Sequence, residues 1–170
     1  MNVAVSTLVR QGARPTLSRQ MVGRVASRLR VALRALGRSR SSASLVFTGD
    51  PEIRALNARY RKMDRATDVL SFHMQELGGE TDPAGQGVFL GDIVISVETA
   101  RRRAPQGRLL PELERLAVHG LCHLFGHDHQ RPGEAKVMFA LERRLLRLPL
   151  GPAVKPGGKR PAAARAADRR

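Results

Sequence analysis

The chain has 170 residues, is 42% hydrophobic and carries a formal net charge of +15, with no tryptophan and only 4% aromatic residues. That length predicts one domain able to bury a core. The single cysteine, Cys122, excludes an internal disulfide framework and fits a reducing compartment, and no apolar run approaches membrane-spanning length, so a soluble cytoplasmic protein is expected.

A short strand is predicted at Val3 to Val5, followed by a long helix from Leu17 to Leu36. Leu17, Met21, Val22, Val25, Leu29, Leu33 and Leu36 form a stripe with helical spacing, as in a helix docked on a core. The acid-free, Arg-rich start also suits a transit peptide, but that stripe argues against one. Gly37 breaks the helix, and Ser44 to Phe47 reads as a strand. Asp50-Pro51 predicts a helix start, with Asp50 as N-cap and Ile53, Leu56 and Tyr60 on the buried side. Strands follow at Val69 to Phe72 and Val88 to Ile95, joined by a Gly-rich polar segment, Gln75 to Gly87.

Val97 to Arg103 predicts a short exposed helix. Pro111 starts a helix whose Leu113, Leu116, Ala117, Leu121 and Leu124 make it apolar enough to cross the middle of the domain. Ala135 to Leu146 closes the fold. The order predicts an α+β domain over residues 1–150: a small mixed sheet of about four strands packed on helices. Residues 151–170 read as a disordered basic tail.

The positive charge is uneven. Residues 1–50 hold nine arginines and one acid, Asp50, and residues 151–170 hold six basic groups against Asp168. The middle hundred residues carry fifteen basic and thirteen acidic groups. Charged ends of this kind suit phosphate contacts with a polyanion; a solubilising surface is the plainer explanation.

Four of the five histidines fall between His119 and His129. His119 and His123 are four apart, one turn above each other on a helix face. Gly126 suits a left-handed helix end that folds the chain back and brings His129 toward them. Three imidazoles without an obvious fourth ligand describe a catalytic zinc site better than a structural one. The spacing H-x-x-x-H-x-x-G-x-x-H is also that of metzincin proteases, which put a glutamate general base after the first histidine. Here Gly120 stands there, and it cannot take a proton.

Three ordered blocks resemble the YbeY family of rRNA maturation factors, over roughly residues 45 to 146. Leu56-Asn57-Ala58-Arg59-Tyr60-Arg61 continues through Asp64 to Thr67-Asp68-Val69-Leu70-Ser71-Phe72; then come Leu90 to Ser96 and His119 to His129. The resemblance implies His119, His123 and His129 as ligands of one zinc ion and Arg61 as the catalytic, phosphate-binding group. Asp128 is a candidate to orient an imidazole, although a turn-stabilising role suits it nearly as well. Asp68 and Asp92 are expected to fix backbone turns, and Cys122 to pack inside. His127 replaces a usual aromatic and His73 a usual proline; each is read as a surface substitution outside the ligand set.

The resemblance further implies a zinc-dependent, single-strand-specific endoribonuclease of the cytoplasm. It would act in 16S rRNA 3′-end maturation and ribosome quality control, alongside the small ribosomal subunit, its assembly factors and an assembly GTPase. No membrane partner is expected. A second hypothesis is a non-catalytic, metal-stabilised ribosome-assembly factor. A third, a zincin-type metalloprotease, is disfavoured by Gly120.

Overall fold

A computed structural model describes residues 3–74, 88–127, 129 and 131–151. The Gly-rich segment 75–87, Asp128 and nearly all of the basic tail lie outside the described residues. Four strands, β1 (Ala4–Val9), β2 (Ser42–Thr48), β3 (Val69–His73) and β4 (Phe89–Ser96), form one mixed sheet in the order β1-β2-β4-β3. β1 and β4 each lie parallel to β2, whereas β3 runs antiparallel to β4 at the sheet's edge. The expected α+β architecture is present.

Among the described residues, five α-helices accompany it: α1 (Arg19–Ala35), α2 (Asp50–Arg61), α3 (Val97–Arg103), α4 (Leu109–Leu124) and α5 (Pro132–Arg147). Strand alternation divides the sheet into two faces. Leu45, Phe47, Ile93 and Ile95 meet Leu29 and Leu33 of α1 and Leu113, Leu116 and Leu121 of α4 in the main core. On the other face Ile53 of α2 covers Leu70 and Val94 in a smaller cluster. α4 touches β3, β4, α1, α3 and α5, which explains a helix apolar on nearly every side.

Several boundaries differ from the sequence reading. β1 continues to Val9 because it pairs residue for residue with β2; the exposed Ser6 and Thr7 hide it in sequence. α4 begins at Leu109 and α5 at Pro132, so their prolines sit in the first turn, where a missing N–H costs nothing. α3 is not simply exposed: Val97, Thr99 and Ala100 are buried, whereas Glu98, Arg101, Arg102 and Arg103 face solvent. Tyr60 is 47% exposed; near the end of α2 its ring meets that of Phe72 in a T-shaped contact, with centroids 5.1 Å apart.

Asp50 is not the N-cap of α2. Gly49 holds that position, and the Asp50 carboxylate turns to α3. It accepts hydrogen bonds from Ser96 Oγ at 2.5 Å and Thr99 Oγ1 at 2.7 Å, and it pairs with Arg102 Nη2 at 2.7 Å. Burial pushes its pKa up, but these hydrogen bonds and the Arg102 charge outweigh burial and hold it below the ordinary value. Among the described residues, no helix is long and apolar enough to cross a membrane.

Candidate metal centre

α4 ends where the histidines begin to converge. Gly126, at φ +75°, follows the cap residue Phe125; its N–H donates to the His123 carbonyl at 2.8 Å, and the His127 N–H donates to that of Cys122 at 3.1 Å. This pair of bonds is a Schellman closure, which glycine adopts without steric cost. It reverses the chain and carries His129 back over the last turn.

His119, His123 and His129 each offer a ring nitrogen, and these atoms lie within 4.8 Å of one another. The Nε2 atoms of His119 and His123 stand 3.2 Å apart. Two nitrogens bound at about 2.0–2.1 Å to one tetrahedral ion are separated by about 3.3 Å, so this spacing fits a shared cation. His119 and His123 are half-buried and His129 is exposed, leaving the cluster walled by α4 and open beside His129.

Glu142 on α5 was not apparent as a site residue from the sequence. Its buried carboxylate accepts a hydrogen bond from His119 Nδ1 at 2.7 Å. That bond fixes the tautomer that leaves the His119 Nε2 lone pair for a metal. The available signal was a carboxylate in the apolar stripe of α5, between the buried Met138 and Leu145. Cys122 is buried on α4 as expected, and desolvation, with a smaller contribution from the Glu142 charge, pushes its thiol up to about 12.

β3 supplies a second support. Ser71 Oγ donates to the Gly120 carbonyl at 3.1 Å, and His73 Nε2 donates to the His123 carbonyl at 2.6 Å. His73 is therefore a half-buried tether between β3 and α4 rather than a surface substitution. His127 is half-buried, and its ring is not among the three that converge.

Gly120 faces the sheet. A Cβ there would lie 2.6 Å from Ile93 Cγ2 and 3.0 Å from Ser71 Oγ. The residue after His119 therefore lets α4 approach β4 closely, and a glutamate base could not occupy it. The zincin-like spacing of the histidines is retained without the zincin general base.

Arg61 ends α2, exposed, with Nη2 donating to the Ser71 carbonyl at 3.4 Å. Two hydrogen bonds through Ser71 thus lead from Arg61 to Gly120. Beside it, Arg59 lies over the Tyr60 ring, 5.3 Å from the centroid. Asp68 fixes the start of β3: Oδ1 accepts from the Val69 N–H at 2.9 Å and Oδ2 pairs with Arg103 at 2.6 Å. Asp92 instead lines a groove of about 340 Å³ on the α2 face of the sheet, with Leu8, Ser44, Val46 and Tyr60.

The family model of endoribonuclease YbeY matches residues 13–148. The chain belongs to the YbeY family. An endoribonuclease YbeY from Anaeromyxobacter sp. (strain Fw109-5) is 43% identical over 154 residues, covering 88% of this chain and 77% of that protein. One from Anaeromyxobacter dehalogenans (strain 2CP-C) is 41% identical over 150 residues, covering 86% and 75%. The solution structure of TM1509 from Thermotoga maritima shares the fold, with a TM-score of 0.53 and 21% identity over 84% of this chain and 86% of that one. The family match encloses the converging histidines, Arg61 and Glu142 alike.

Proposed function

We propose that this YbeY-family chain is a zinc-dependent, single-strand-specific endoribonuclease of the cytoplasm. Its role would be 16S rRNA 3′-end maturation and ribosome quality control, in association with the small ribosomal subunit and its assembly factors. One observation carries the reading: three imidazole nitrogens within 4.8 Å on a chain matched by the endoribonuclease YbeY model.

His119, His123 and His129 would hold one zinc ion, a donor set that suits zinc. Bound there, zinc supplies Lewis acidity toward phosphoryl oxygen and lowers the pKa of water. The chain's own residues do the rest. Glu142 keeps the His119 ring in one tautomer and one orientation. The Arg61 guanidinium binds non-bridging phosphate oxygens and stabilises the charge that develops on them. The net charge of +15 draws the polyanion in, with the basic tail, residues 151–170, contributing phosphate contacts. Asp128, just before His129 in sequence, is a further candidate to orient an imidazole.

The reading is tested by His123→Ala and Arg61→Ala, each measured for metal content and for cleavage of single-stranded rRNA. His123→Ala should lose both metal and cleavage. Arg61→Ala should keep its metal and lose cleavage by about 100-fold or more, the scale of removing a charge-stabilising donor. Wild-type protein that cleaves RNA no faster after zinc loading, yet co-sediments with small ribosomal subunits, would replace this reading with the assembly-factor one.

A further inference from the structure

Phe139 sits on α5 one turn before Glu142, on the same helix face. Glu142 turns inward to hold His119, whereas Phe139 is 47% exposed. Its ring lies within 10° of parallel to that of His129, with centroids 6.4 Å apart. The buried positions of α5 are already filled by Met138 and Leu145, so core packing does not account for this ring. In a chain with five phenylalanines, one tyrosine and no tryptophan, one aromatic face is thus spent on solvent at the open side of the histidine cluster.

We propose that the exposed face of Phe139 is a stacking platform for one nucleobase of single-stranded RNA, beside the phosphate held at the histidine cluster. The inference rests on the endoribonuclease reading and adds to it the group that recognises an unpaired base. Every base presents a π-face, so stacking on Phe139 tolerates sequence. A base inside a duplex has both faces covered by its neighbours and cannot use the platform. Phosphate attraction by the basic chain brings either kind of strand to the surface; Phe139 retains the single one.

The test uses full-length, zinc-loaded protein and a short single-stranded 2′-O-methyl oligonucleotide, with affinity read by fluorescence anisotropy at fixed salt. Phe139→Ala should weaken binding about 5- to 150-fold with metal content unchanged. Phe139→Trp should keep wild-type affinity. Because the chain has no other tryptophan, its emission should be quenched on saturation by the single strand and not by the matching duplex. Affinity of Phe139→Ala within twofold of wild type, or Phe139→Trp emission unmoved at saturation, overturns the platform alone. Wild-type protein that binds no single-stranded RNA overturns the platform together with the endoribonuclease reading. If Phe139→Ala fails to take up metal, the Phe139→Trp emission decides.

Discussion

Glu142 Oε1 accepts a hydrogen bond from His119 Nδ1 at 2.7 Å across the contact between α4 and α5. Both side chains are at least 85% removed from solvent, at 15% and 8% relative exposure. The closing helix therefore does more than cover the core: it sets the direction of the first imidazole.

On the zinc reading proposed above, Glu142→Gln should fold and bind the ion about 10-fold more weakly than wild type, and Glu142→Ala up to about 100-fold more weakly. Alanine also leaves a largely buried Nδ1–H without its acceptor, at about 1–3 kcal/mol of stability. Competition with a metal chelator measures the first effect and urea unfolding the second. Unchanged zinc affinity in both variants would reduce Glu142 to a packing residue.

Gly120→Ala should destabilise the protein. Alanine gains roughly 1 kcal/mol of helix propensity, but its methyl would sit 2.6 Å from Ile93 Cγ2. Ile93 is fully buried on β4 and cannot swing aside, and overpacking of this kind costs about 1–3 kcal/mol. A lower urea midpoint is the expected result, with a larger drop for Gly120→Glu and no gain of casein hydrolysis. A midpoint at or above wild type would show that α4 can lift from the sheet.

His73→Ala should cost only about 0.5–1.5 kcal/mol, because the His123 carbonyl keeps its bond from the Gly126 N–H. RNA cleavage should stay near wild type between pH 6 and 8. A tenfold slower reaction at full metal content would assign His73 a part in proton transfer rather than tethering.

Acid should loosen β3 through Asp68. Burial raises this carboxyl's pKa, but the hydrogen bond and charge of Arg103, with the Asp68 and Val69 backbone N–H groups, outweigh it and leave the pKa below the ordinary 3.8. The folded chain thus binds fewer protons there than the unfolded chain, so the stabilisation is full above pH 3.8 and is lost as pH falls through the lowered value. Melting temperature followed from pH 6 to pH 2 should fall less steeply for Asp68→Asn than for wild type. Parallel curves would remove Asp68 from the acid response.

The existence and type of nearly every element were readable because periodicity follows from backbone geometry. Leu29 and Leu33 on a helical stripe, and Leu45 and Phe47 on alternate strand positions, went where their spacing sent them. Boundaries were less legible. Asp50-Pro51 looks like a cap locally, yet the carboxylate found Ser96 at the cap of α3 and Thr99 and Arg102 on that helix, nearly fifty residues away. Tyr60 fits the stripe of α2, yet it borders the groove on the sheet face and stays 47% exposed.

By itself the sequence determined the convergence of His119, His123 and His129, since helical pitch and a left-handed glycine are local properties of the chain. It also determined the family, whose ordered blocks run through the same residues. What surrounds the cluster came from packing between distant elements. Glu142 behind His119, Ser71 and His73 against the carbonyls of α4, and Gly120 pressed on Ile93 all come from contacts between elements far apart in the chain. Such partners leave no periodic signal, because their pairing depends on how helices and strands pack and not on how each one forms.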